Sequence, residues 1–238
     1  MSSDFLFNLR YRIANHASDF PTVYTFLSKS FTGRDCYTTK DTDIVIDGYP
    51  RSANTYATCA FELAQSKKIV IANHIHKKSQ FLLAEKYNIP AILLIRNPLD
   101  CISSLLIRQP KYDPVVLFQG YYLLYNGLKN SDGFVVGDFD NVINDYAKII
   151  KCVNNKFGKN FDLYDKTEEN ENTVRHIVQN QDELKNAADY GERVAYPNED
   201  RKKMLTEIKN RLLDPRYKYE YRKCEKLYNT FLSRSCID

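Results

Sequence analysis

The sequence predicts an α/β protein: a parallel β-sheet flanked by helices, followed by a mostly helical C-terminal part. Three observations carry this. Across residues 43–158, short runs of β-branched and aliphatic residues alternate with amphipathic stretches, the pattern of a parallel sheet with crossover helices. One run, AILLI at 91–95, is apolar throughout, as expected of a strand whose sheet is covered on both faces. Beyond Gly158 the strand-like runs cease and helical patterns continue alone.

Residues 43–46 (DIVI) read as the first strand and 54–66 as the helix that follows it. A strand at 69–72 and a helix at 77–87 come next, and then the apolar strand at 91–95. Pro98 suits a first helical turn, so a helix is predicted over 99–108, with another over 114–129. A short strand at 134–136 leads into a helix at 141–157. The C-terminal part carries helical patterns at 167–186, 199–213 and 217–232. No internal repeat and no Gly/Ser-rich linker divides the chain. One domain is therefore expected over 1–238, with 43–158 as its α/β core and 159–238 mostly helical.

With 43% hydrophobic and 13% aromatic residues among 238, the chain has ample material for a core, and the composition of a disordered protein is excluded. Eight glycines and eight prolines rule out collagen-like and low-complexity chains. A net charge of +4, from 34 basic and 30 acidic residues, is too small to argue for nucleic acid. The basic C-terminal stretch reads first as a solvated helix face. Six scattered cysteines form no Cys-x-x-Cys pair and have no histidine at metal spacing. Neither a disulfide scaffold nor a metal site is expected, and a reduced cytoplasm fits best. No stretch has the length of a signal peptide's apolar region or of a membrane span.

The chemistry-bearing residues follow the first strand: Asp47-Gly48-Tyr49-Pro50-Arg51-Ser52-Ala53-Asn54-Thr55-Tyr56. A strand, a Gly/Pro turn and small or hydroxyl residues opening a helix aim backbone N–H groups and a positive helix end at a phosphate. Against the nucleotide-binding pattern G-x-x-x-x-G-K-[ST], Gly48 and Thr55 keep register, but Ala53 replaces the second glycine and Asn54 the lysine. An NTPase without that lysine would be crippled. The basic group stands instead at Arg51. A plain strand-to-helix turn with Asn54 as N-cap accounts for the Asn and the Gly, but not for Arg51 and Ser52.

A second segment, Arg96-Asn97-Pro98-Leu99-Asp100-Cys101-Ile102-Ser103-Ser104, begins where the apolar strand ends. Ligands of open α/β sheets bind outside the carboxyl ends of strands, so Arg96 stands at the expected edge. An Arg at a strand end with a Ser eight residues on can bracket a second phosphate.

Together these segments resemble the PAPS-dependent sulfotransferase family, in which a 5′-phosphosulfate loop of the type PKSGTTW precedes a 3′-phosphate motif of the type RNPKDxxxS. Here they read PRSANTY (50–56) and RNPLDCISS (96–104), with the Arg-to-Ser spacing intact. The likeness is strongest to small bacterial- or phage-like sulfotransferases with a G-[FY]-P-R-S-A-N-T loop. It extends more faintly over 43–158, where VVGDFDNVINDYAKIIKCVNNKFG is similar to the family's strand, acidic turn and helix. The resemblance implies a P-loop-NTPase-like sulfotransferase fold and the donor 3′-phosphoadenosine 5′-phosphosulfate (PAPS), with no metal. It places the donor on Arg51, Ser52, Ala53, Asn54, Thr55, Tyr56, Arg96 and Ser104, with Arg51 also assisting the leaving phosphate. It further implies His74, in Asn73-His74, as the base on the acceptor. His76 is the rival, because residues two apart on an extended segment face the same side.

The likeness fails at the C-terminus, where the family's R-K-G-x-x-G-D-W-K type segment has no counterpart and the chain has no Trp. Arg193 and Arg201, in RVAYPNEDR, are the residues expected to replace it, and a helix N-terminus capped by Asn198 is the competing reading. The expected activity is sulfuryl transfer from PAPS to a hydroxyl or amine of an unidentified acceptor, whether glycan, small molecule, lipid or peptide. The rivals are a degenerate P-loop kinase or NTPase, marked by Mg²⁺-dependent ATP turnover, and a silent nucleotide- or nucleic-acid-binding module, marked by strongly salt-dependent oligonucleotide binding.

Overall fold

Four short strands, β1 (Ile44–Gly48), β2 (Ile71–Ala72), β3 (Ala91–Ile95) and β4 (Val135–Asp138), form one parallel sheet in the order β2-β1-β3-β4. They belong to a computed structural model that describes residues 3–32, 36–185 and 199–236. Alternate side chains of a strand leave on opposite faces. Val45, Leu93 and Ile95 accordingly pack with Phe81, Phe118, Tyr121, Tyr125 and Phe231. Ile44, Ile46, Ile92 and Leu94 pack on the other side with Phe61, Ile150, Val153 and Val174. Two apolar layers on one sheet explain why β3 needs no polar residue.

Two helices precede the sheet, α1 (Ser3–Ala17) and α2 (Pro21–Thr32), and the strand–helix alternation did not announce them. The connections between strands are α3 (Asn54–Ala64), α4 (Lys78–Tyr87) and the pair α5 (Pro98–Arg108) and α6 (Pro114–Leu128). The single helix expected at 141–157 is two, α7 (Phe139–Asn144) and α8 (Tyr146–Phe157). The break falls at Asp145, which leaves helical geometry at φ −147°, ψ 64° and accepts the Lys148 amide at 3.3 Å. A short carboxylate side chain competes with the helix for backbone donors and so restarts it as an N-cap. The C-terminal helices follow as α9 (Glu168–Lys185), α10 (Glu199–Leu212) and α11 (Lys218–Leu232).

Two further sequence expectations, on pairing, need correction. The strand expected over 69–72 pairs only at Ile71 and Ala72, against Ile44 and Val45. Cysteines 152 and 236 are joined in a disulfide, although their wide spacing suggested no pairing. The bond fastens the chain end to α8, beside an isolated parallel bridge from Ser235 to Val136 of β4. Among the described residues no helix is long and apolar enough to cross a membrane.

The sheet order locates the site. The chain passes from β1 to β2 on one side and then returns across β1 to β3. Connections therefore diverge between β1 and β3, and open α/β sheets hold ligands in the crevice this leaves at the strands' carboxyl ends.

Candidate functional site

Gly48 ends β1 against β3, where a Cβ would overlap the Leu94 carbonyl. The loop beyond it turns through two non-glycine residues in the left-handed region, Arg51 (φ 69°) and Ala53 (φ 65°). Ala53 is the N-cap of α3 and has no side-chain acceptor to offer, so no side chain caps the helix's first amides. Asn54 is not the cap. It sits inside the first turn, and its Nδ2 donates to the Tyr49 carbonyl at 2.9 Å while its buried Oδ1 has no partner. The left-handed backbone costs about 1 kcal/mol or more at Ala53 but almost nothing at glycine. Ala53→Gly is expected to stabilise the protein by roughly 0.5–1 kcal/mol, seen as a rise in urea midpoint. A fall in the midpoint would show that the turn is not strained.

Arg96 leaves β3 on the opposite lip of the crevice. Its Nη1 donates to the Arg51 carbonyl at 3.0 Å, and its guanidinium lies over the Phe139 ring, 3.9 Å from the centroid. Its buried Nε has no partner. Asn97 caps α5 by accepting the Leu99 amide at 2.9 Å, and Pro98 opens the helix that carries Ser104 inward. There Ser104 Oγ accepts Arg51 Nε at 3.0 Å and Arg201 Nη2, from α10, at 3.0 Å. The motifs expected at two separate phosphate positions thus meet at one hydroxyl. Arg201 and Ser104 are each only 5% exposed, so their charge and dipole act where water screens little. Arg193 and Asn198 lie outside the described residues. Ser52 is buried, Thr55 is half-buried, and the Tyr56 hydroxyl turns away to Glu171 at 2.6 Å, tying α3 to α9.

Below the two lips lie buried tyrosines. Tyr125 receives the Tyr49 amide at 3.1 Å and donates to the Leu94 carbonyl at 2.8 Å, while Tyr121 donates to the Arg96 carbonyl at 3.0 Å. Burial raises both phenols above their ordinary range, so they remain neutral donors and brace the loops.

The third wall follows β2. His74 (φ 56°) and His76 (φ 57°) are both left-handed, so the segment is not extended as expected, yet their rings meet edge-to-face at 5.7 Å. His76 Nδ1 lies 2.8 Å from the Gly48 carbonyl and 3.0 Å from Asp47 Oδ1. Asp47 is fully buried and also accepts the amides of Gly48, Ile75 and His76 at 2.8, 2.9 and 2.9 Å. Next along, Lys77 is 7% exposed, its ammonium 4.8 Å from the Tyr11 ring centroid, and burial pulls its pKa down to about 8 against the pull of Asp47.

No family model matches the sequence, and no curated protein matches it. A mouse sulfotransferase, SULT7A1, solved in complex with PAP, is similar in structure at a TM-score of 0.44 and 15% identity, over 84% of this chain and 89% of that one. The α/β assignment rests on the parallel sheet and its crossovers. Asp47, Lys77, Tyr121 and Tyr125 were not singled out in the sequence. The one available signal was Asp47, a carboxylate closing an otherwise apolar strand.

Proposed function

We propose that the crevice binds PAPS and transfers its sulfuryl group to a hydroxyl or amine of an acceptor, within one domain spanning the chain. The observation that carries this is the meeting of Arg51 and Arg201 at the Ser104 hydroxyl, with Arg96 held to the Arg51 carbonyl, beside the start of α3, whose N-cap Ala53 makes no side-chain cap. Cationic forks beside free helix amides suit a dianionic phosphate, and charge-assisted contacts are the strong ones. The buried, unpartnered Arg96 Nε, a donor, fits an anionic ligand seated there.

When bound, PAPS supplies an activated sulfur whose leaving group is the 5′-phosphate of 3′,5′-ADP. Arg51 and the first amides of α3 balance the charge that grows on that phosphate, electrostatic stabilisation being usually the largest single catalytic contribution. Arg96, Ser104 and Arg201 hold the 3′-phosphate. One imidazole of the His74–His76 pair takes the acceptor proton, general-base catalysis of this kind contributing about 10²- to 10⁴-fold in rate. Asn54, standing where a P-loop kinase needs lysine, weighs against ATP chemistry.

The test is a thermal shift with two nucleotides. 3′,5′-ADP is expected to raise the melting temperature, with about 2.7 kcal/mol of added stability at one hundred times its Kd, and ADP without a 3′-phosphate to do much less. Equal shifts would remove the 3′-phosphate role of Arg96, Ser104 and Arg201.

A further inference from the structure

We infer that Asp47 and His76 act as a hydrogen-bonded pair in which Asp47 positions the ring and His76 Nε2, rather than His74, is the base toward the acceptor. This deepens the transfer reading above and rests on it. Asp47 is 0% exposed at the end of an apolar strand, where an ionised carboxylate is expensive unless fully partnered. Burial pushes its carboxyl up, but the charge of His76 and the hydrogen bonds from that residue outweigh it, and the net shift is below the ordinary range. The amides of Gly48, Ile75 and His76 also donate to its oxygens, so Asp47 is an ionised acceptor beside a neutral ring as well.

The tautomer of His76 follows. Its Nδ1 faces the Gly48 carbonyl at 2.8 Å and Asp47 Oδ1 at 3.0 Å, and both are acceptors only. Nδ1 must carry a proton, so the neutral ring has a bare Nε2, the form a general base requires. Asp47 also shapes the backbone, because Oδ2 takes the amides of both Ile75 and His76 at 2.9 Å across the left-handed turn. The His76 side chain keeps 23% of its surface open and Asp47 none, so an acceptor meets the pair at the imidazole.

In the step, the acceptor oxygen or nitrogen forms its bond to sulfur as its proton passes to His76 Nε2. The bond from sulfur to the bridging oxygen breaks, and its electron pair stays on the 5′-phosphate of 3′,5′-ADP. The imidazolium is stabilised by Asp47 and then releases its proton to solvent.

The primary test is long-range ¹H–¹⁵N NMR of the full chain labelled at its imidazole nitrogens, with the four histidines assigned by single substitution. His76 is expected with Nδ1 protonated and Nε2 bare at pH 8, and Asp47→Asn is expected to populate the opposite tautomer. An Nε2-protonated His76 in the unaltered protein overturns the inference, whether or not the variant folds. The second arm uses labelled PAPS with water as acceptor, read as released sulfate. His76→Ala and Asp47→Asn are expected to lose about 10²-fold or more in kcat while keeping the 3′,5′-ADP melting shift, and His74→Ala to lose less. If His74→Ala loses turnover and His76→Ala does not, the base is His74 and the transfer reading stands. If the unaltered protein shows neither the 3′,5′-ADP shift nor sulfate release, the transfer reading itself fails.

Discussion

Replacing Arg51 with alanine is expected to lower kcat for sulfuryl transfer by about 10²-fold or more, with a smaller loss of PAPS affinity. A hundredfold corresponds to roughly 2.7 kcal/mol at 1.36 per tenfold. Charge builds on the 5′-phosphate only as the sulfuryl group departs, so a cation beside it gains interaction energy during the reaction rather than before it. Removing the side chain leaves the Arg51 carbonyl that Arg96 holds, so the crevice keeps its lips together and the loss reads on chemistry. Arg51→Lys should recover part of the rate, since the charge returns without the fork that engages Ser104 through Nε. The measurement is steady-state transfer from labelled PAPS. A rise in KM with kcat intact would mean that Arg51 only binds the donor.

The largest structural effect is expected at Gly48. A methyl group there would run into the Leu94 carbonyl, which belongs to the backbone of β3 and cannot rotate aside. β1 and β3 would have to separate at the carboxyl ends that form the crevice. Gly48→Ala is expected to lose about 3 kcal/mol of stability in urea unfolding, at the top of the usual range for overpacking. It should also weaken the 3′,5′-ADP shift, because both lips move. A loss below about 1 kcal/mol would mean that the strands can part without cost.

The sheet was legible because its signal is periodic and local. Strand β3 has the ends predicted for it, since a run of five buried aliphatic residues admits little else. What escaped reading depended on partners far along the chain. Asp47 in the sequence is one acid after a strand, and its use is defined by a loop that arrives 28 and 29 residues later. Arg201 was found in the sequence only as a substitute for a missing motif, and its meeting with Ser104 spans 97 positions. The Cys152–Cys236 bond is of the same kind, because cysteine spacing does not determine connectivity. Helices α1 and α2 lacked the neighbouring strands that make an alternating pattern recognisable.

The left-handed residues have a consequence for how this protein can change. Among the described non-glycine residues, only Asn88 shares that conformation with Arg51, Ala53, His74 and His76. Two of those four, Arg51 and His76, carry the proposed chemistry, so one residue must bend the chain and also supply the working group. Glycine would relax the bend and remove the group. Variants selected for heat resistance alone should therefore drift toward glycine at these positions and lose activity as they gain stability, whereas selection for turnover holds the chain at a lower stability than its fold allows.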